Sequence, residues 1–326
     1  MNSIYSSSES INVKNGVMYN HGTGTLTEQL NWLNSSIQSG QTYLIEVDKD
    51  ESLNPFVFPN GFANVNVIIR GVTPNLPNTT SRMPFPPPTL QLSQNGNMFR
   101  IENGITLILE NVVLRGRDGN NMALVRIMNG ATLKMGHRAS IEGNENTVTN
   151  TNQPQQGGGI LVDAGGILQM DTGSSVAGNK VPNRDGGGVY CFGQMIVNGG
   201  VISNNGAMNG GGVFAASNSM VSFRSGMFKN NTATGNGGSV YLMATSSFDM
   251  HGGIISGSSA NIGGGVSNAG LFRISNGIVY GAGSAEELRN MANEGASLQN
   301  IENGEAFYGT FNSNGEFTSL QTYTGN

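Results

Sequence analysis

A glycine triplet returns along this chain every two dozen residues or so. It occurs at Gly157 to Gly159, Gly186 to Gly188, Gly210 to Gly212 and Gly263 to Gly265, and Gly237, Gly238 and Ser239 fill the one gap. The residues just after it, Ile160, Val189, Val213, Val240 and Val266, stand 29, 24, 27 and 26 positions apart. An earlier stretch has the same period without the triplet, setting Asn103 against Asn129, Leu107 against Leu133 and Leu109 against Met135 at a spacing of 26. Self-similarity at such a period governs the whole fold and has to be explained before any motif.

Each unit holds three short apolar segments. The first two alternate, as in Val189 and Cys191, then Met195 and Val197. The third has an apolar residue three positions before an asparagine: Ile141 with Asn144, Val176 with Asn179, Ile202 with Asn205, Phe228 with Asn231. An apolar period of two argues against helical repeats, and glycine at this density would cost a helix about 1 kcal/mol per site against alanine. The segments are too short for hairpins, and no room is left for a crossover helix. One turn of a parallel β-helix per unit fits instead: each segment bonds to its counterpart about 4.8 Å away, and stacking builds one apolar column. Glycine then supplies sharp corners, and asparagine in register forms a ladder up a corner. Ser258 takes the next asparagine position, so the ladder is expected to weaken there.

Composition narrows the function classes. The chain has 326 residues, 49 of them Gly, and only 11% are charged. With 16 Lys+Arg against 21 Asp+Glu and a net charge of -5, it has no electrostatic grip for nucleic acid or anionic lipid. Cys191 is the single cysteine, which leaves no disulfide framework or thiolate cluster, and the three histidines, His21, His137 and His251, are not spaced as ligands. Neither cofactor nor metal is expected. "MNSIYSSSESINVKNG" lacks the basic start and apolar run of a signal peptide, and no apolar stretch of about 18 residues is present, so no transmembrane segment is expected.

Three regions are expected: residues 1–96 as a cap with the first strands and a Pro-rich loop, 97–283 as the repeats, and 284–326 as a carboxyl-terminal segment that could close the stack. In the first, Thr25 and Glu28 fit a capping box, Leu26, Leu30, Leu33 and Ile37 share one helical face, and Gly40 is read as the stop. "QTYLIEV" and "NVNVIIRG" alternate as strands, and the prolines of "TPNLPNTTSRMPFPPPT" predict a surface excursion.

The pairing of "GGGV" with "FKNNTA" at Phe228 to Ala233 resembles the GGA(I/V/L) and FxxN repeats of chlamydial polymorphic outer-membrane proteins. More broadly it is similar to β-helix repeat proteins exported by spirochaetes and gut anaerobes. The likeness covers residues 97–283, with GGG or GGS in place of GGA and no membrane-barrel segment. It implies an all-β, single-stranded right-handed parallel β-helix with three short strands per coil and an N-terminal helix-containing cap. It also implies an adhesive or surface-structural role at the exterior of a bacterium, with a polysaccharide or a host or neighbouring-cell protein as partner.

In alternating strands successive residues face opposite ways. If Val189, Val213 and Val240 point inward, so does Cys191, as a core thiol. The outward row is then Leu161, Tyr190, Phe214, Tyr241 and Ser267. This ridge either packs within the fold or, exposed, marks a partner or glycan contact. In the second segment, register sets Asp249 and His251 between Arg224 and Arg273, close enough for ion pairs; the alternatives are a solvated face of alternating charge and a ligand site.

Polysaccharide-cleaving β-helices need paired carboxylates or calcium ligands. Here only "HG" at His251 and Gly252 resembles a polygalacturonase segment, and Asp171 lies three turns from Asp249, roughly 14 Å away by inter-turn spacing. Asp118, Glu142 or Asp185 could enter from loops. The leading expectation is a non-enzymatic surface or secreted protein, with a carbohydrate-active enzyme or a passive spacer as alternatives.

Overall fold

The computed structural model describes residues 11–13, 16–20, 24–72, 86–149, 156–281, 285–294, 298–300, 307–311 and 317–322. The Pro-rich loop lies largely outside them, as does His21. The described chain winds as an all-β, right-handed parallel solenoid behind an N-terminal helix. Parallel pairing already begins at Gly16–Asn20, which pairs with Thr42–Val47; that strand pairs with Val65–Gly71, and Val65–Gly71 in turn with Ile105–Glu110.

Each coil visits three sheets in turn. The third sheet has nine strands, including Val189–Cys191; the first has eleven, including Gln194–Val197; the second has nine, including Val201–Ser203. The registers follow the repeat. Ile160, Val189, Val213, Val240 and Val266 form one row, with Val162, Cys191, Ala215, Leu242 and Asn268 beside them, all fully or almost fully buried. Apolar residues from Leu26 to Val279 join in one continuous core. Each large side chain withdrawn from water contributes about 1.5–3 kcal/mol.

A fourth, shorter sheet was not expected. Lys180–Val181, Gly206–Ala207, Thr232–Ala233, Ser259–Ile262 and Met291–Glu294 pair in parallel between the second and third sheets. The two-residue strands leave no room for an alternating pattern. Parallel pairing also continues at Leu298–Asn300, against Val266–Asn268.

The corner before this sheet explains the repeated asparagine pair. Asn204 and Asn230 take φ of 55°, where Gly143, Gly178 and Gly257 stand in other coils. The next residue turns its amide into the stack. The N–H of Asn144 donates to Asn179 Oδ1 (3.1 Å), that of Asn179 to Asn205 Oδ1 (2.9 Å) and that of Asn205 to Asn231 Oδ1 (3.1 Å). Asn205 Nδ2 also donates to Asn231 Oδ1 (3.0 Å) and to the Val176 carbonyl (3.0 Å), so the buried amide is satisfied. Ser258 keeps the main-chain link, accepting from the Asn231 N–H at 3.1 Å, but the side-chain link changes. Asn231 Nδ2 turns to Ser239 Oγ (3.4 Å), and Ser239 Oγ bonds Ser258 Oγ (2.7 Å). Asn290 then resumes the ladder, its Oδ1 accepting from the Ser258 N–H at 3.0 Å.

The third residue of the triplet is matched to this rung. A Cβ on Gly212 would stand 2.6 Å from the Ser239 carbonyl oxygen and 3.0 Å from Asn231 Nδ2. Ser239 is admitted because its rung partner is the shorter Ser258, and the backbone yields locally: the N–H groups of Ser239 and Val240 both donate to the Gly265 carbonyl (3.0 Å each).

The helix spans Leu26–Ser36 with the expected capping box from Thr25 and Glu28, and it buries Leu26, Leu30 and Leu33. Its end differs from the expectation. Ile37 is already extended (ψ 136°), three residues ahead of Gly40. The stop comes from Tyr43, whose hydroxyl donates to the Ser36 carbonyl (2.9 Å) and accepts from the Gln38 N–H (2.8 Å).

Candidate functional site

The ridge forms on the outer side of the third sheet, where Leu161, Tyr190, Phe214, Tyr241 and Ser267 lie in register. Leu161, Tyr190 and Phe214 are buried in a second apolar cluster with Ala123 and Ala216, and half-buried Tyr241 and Met243 pack against it. The Tyr190 and Phe214 rings stack at 4.6 Å with 16° between planes; Phe214 and Tyr241 are tilted at 5.2 Å. These faces are consumed by one another, so the row presents edges outward. Phe192, 38% exposed, leans on Tyr190 at 4.8 Å and is the most open ring of the group. Burial, together with the nearby Asp185 carboxylate, pushes the Tyr190 phenol above its ordinary range. Desolvation raises the Asp185 carboxyl itself, opposed by Asn209, whose Nδ2 donates to it at 2.8 Å, and by Arg184.

Toward the amino terminus the same face becomes charged. Arg126 pairs with Asp163 at 3.0 Å and Arg100 with Glu102 at 2.7 Å.

On the first sheet the polar residues form two rows along the axis. In one, Asp249 opposes Arg273 in register, and the carboxylate accepts both guanidinium bonds, that to Nη2 at 2.6 Å. This hydrogen bonding raises the Arg273 guanidinium further. In the other, Arg224 does not reach Asp249 as expected. Its Nη1 donates to Asn198 Oδ1 (3.0 Å), and Asn198 Nδ2 donates to Asp171 Oδ1 (2.8 Å). The cause is register: Asp249 lies over Ser222, not over Arg224, and Arg224 finds an acceptor in the preceding coil. His251 Nδ1 meets Ser275 Oγ at 3.1 Å. Pairs this exposed are each worth about 0–1 kcal/mol and mainly keep like charges apart on the face.

Chemically, these groups are engaged with one another. The Asp249 carboxylate is bound by Arg273, and that of Asp171 accepts from Gln169 and Asn198. Among the described residues no three His, Cys, Asp or Glu side chains gather as metal ligands. Cys191 is fully buried, and desolvation pushes its thiol up to about 12, which suits a core residue and not a nucleophile.

One concavity was not foreseen. A groove of about 390 Å³ on the fourth sheet is lined by Lys180, Asn204, Gly206, Asn230, Thr232 and Thr234, among others. Its residues lie on two-residue strands and in asparagine corners, which carry no periodic signal in the sequence.

Fold and surfaces together define a right-handed parallel β-solenoid scaffold with an N-terminal helix, an architecture in keeping with bacterial surface β-helix repeat proteins. No family model matches the chain, and neither a curated protein nor a solved structure matches it.

Proposed function

We propose that this chain is a non-enzymatic scaffold at the exterior of a bacterial cell, adhesin-like in using its long sides to contact a host, matrix or neighbouring-cell partner. The observation that carries this reading is the contrast between two sides. On the first sheet the charged groups satisfy one another in rows, so Asp249 and Asp171 are not free to act as an acid and base pair. On the third sheet an apolar row that is mostly buried surfaces at Phe192, Tyr241 and Met243. Aromatic groups that open onto solvent beside a rigid sheet favour partner contact. The resemblance of the repeats to chlamydial and spirochaete surface proteins supports the same setting.

The test uses cells that carry the chain, with two readouts. Surface biotinylation of intact cells should label it, and purified chain should release no reducing ends from neutral or acidic polysaccharides. Adhesion to host or neighbouring cells should drop several-fold in a Phe192→Ser, Tyr241→Ser variant that keeps its circular dichroism. Tyr190 is a poor choice for this purpose, because emptying a buried ring site costs about 3–5 kcal/mol. A chain protected from label in intact cells, or sugar release by pure protein, overturns the proposal.

A further inference from the structure

The groove on the fourth sheet has features that the winding alone does not require. Its outward row runs Lys180, Gly206, Thr232, one residue per coil in register. Gly206 removes a side chain from the middle of that row. The corner glycines have a positive φ or sit where a Cβ would strike backbone; Gly206 has neither reason. A Cβ there would meet nothing nearer than 3.9 Å. The missing side chain is therefore not a folding necessity, and it opens the floor of the groove.

The rim is polar and unengaged. Asn204 and Asn230 stand one coil apart, about 4.8 Å, each held at φ 55°, and their side-chain amides bond to no described protein group, unlike those of Asn205 and Asn231 next to them. The hydroxyls of Thr232 and Thr234 are likewise open to solvent. Lys180 makes no ion pair among the described residues, although Glu145 stands beside it in the preceding coil. No carboxylate lines the groove, in a chain whose net charge is -5.

Two amides and two hydroxyls match hydroxyl groups, and one ammonium at the end of the row matches a single negative charge. The volume lies at the small end of the range for ligand sites. We infer that this groove binds a short stretch of acidic saccharide, its carboxylate or sulfate on Lys180 and its hydroxyls on Asn204, Asn230 and Thr232. The inference goes beyond the scaffold reading and does not depend on it, since purified chain suffices to test it.

The test is titration of the full chain with tetragalacturonate and with a hyaluronan tetrasaccharide, read by calorimetry and by shifts of side-chain amide resonances. Cellotetraose and sodium sulfate serve as controls. At least one acidic probe is expected to bind and to shift the Asn204 and Asn230 amides. Lys180→Gln and Gly206→Val, whose Cβ would come no nearer than 3.9 Å to another atom, should each weaken binding tenfold or more, and cellotetraose should bind at least fivefold more weakly. Binding of neither acidic probe, equal binding by Gly206→Val with an unchanged spectrum, or the same shifts from sulfate alone overturns the inference. None of these outcomes alters the surface labelling or adhesion of the preceding section.

Discussion

At the scale of single residues, the corner ladder makes two positions depend on each other. Where the rung is asparagine, as at Asn179, Asn205 and Asn231, the triplet ends in glycine; where it is Ser258, the triplet ends in Ser239. Ser258→Asn should therefore drive an amide into Ser239 and destabilise the chain by about 1–3 kcal/mol. Adding Ser239→Gly should recover most of that loss, with a coupling of roughly 1–2 kcal/mol in a urea double-mutant cycle. Additive effects would show that the two positions are independent. Cys191 gives a pH test. Its thiol ionises near the ordinary 9.0 in the unfolded chain and at about 12 in the folded one, so the unfolded state loses the proton first. The stability this neutral thiol supplies is complete below pH 9 and falls as pH rises toward 12, by up to about 1.4 kcal/mol per unit. Urea unfolding at pH 8 and again near pH 10.5 should show the drop, and Cys191→Ala, though weaker at pH 8, should show a smaller one.

At the scale of elements, strands and corners differ in how they are written into the sequence. Strands with three or more residues carry an alternation, so the rows through Val189 and Met195, the inward aim of Cys191 and the outward row of Tyr190 and Phe214 could all be read from spacing. The fourth sheet could not, because strands such as Gly206–Ala207 show one inward residue each. The groove inherits that silence: its residues lie on those strands and in left-handed corners, where asparagine signals a turn before it signals a ligand. Whether the aromatic row was covered also lay beyond periodicity, since alternation gives a side and not its neighbours. The helix shows the same limit in miniature. Its start is local, in Thr25 and Glu28, and its end is tertiary, fixed by a tyrosine seven residues beyond Ser36. Tyr43→Phe should thus leave the start intact and free the end, costing about 1–2 kcal/mol. Hydrogen exchange should report it as roughly tenfold faster exchange at the Gln38 amide, with little change near Glu28.

At the scale of the whole molecule, a coil touches only the coils before and after it, so the stability of the rod is close to a sum over coils and their interfaces. Long-range order is then a matter of phase. Each coil must return its chain to the same sheet, and the corners hold that phase through the asparagine ladder and the matched glycines. Removing a whole coil preserves phase; removing half a coil does not. Deleting residues 189–212 joins Gly188 to Val213, keeps a glycine opposite an asparagine rung at Asn231, and lays Phe214 over Leu161 in place of Tyr190. Such a chain should fold, keep its β-sheet circular dichroism, melt a few degrees lower and be shorter by about 4.8 Å in small-angle scattering. Deleting residues 201–212 instead would bring the row of Val213 into the place of the second sheet and set apolar residues against the wrong neighbours. That variant should lose the cooperative transition altogether. Equal tolerance of the two deletions would mean that the coils are not the units of folding that their registers describe.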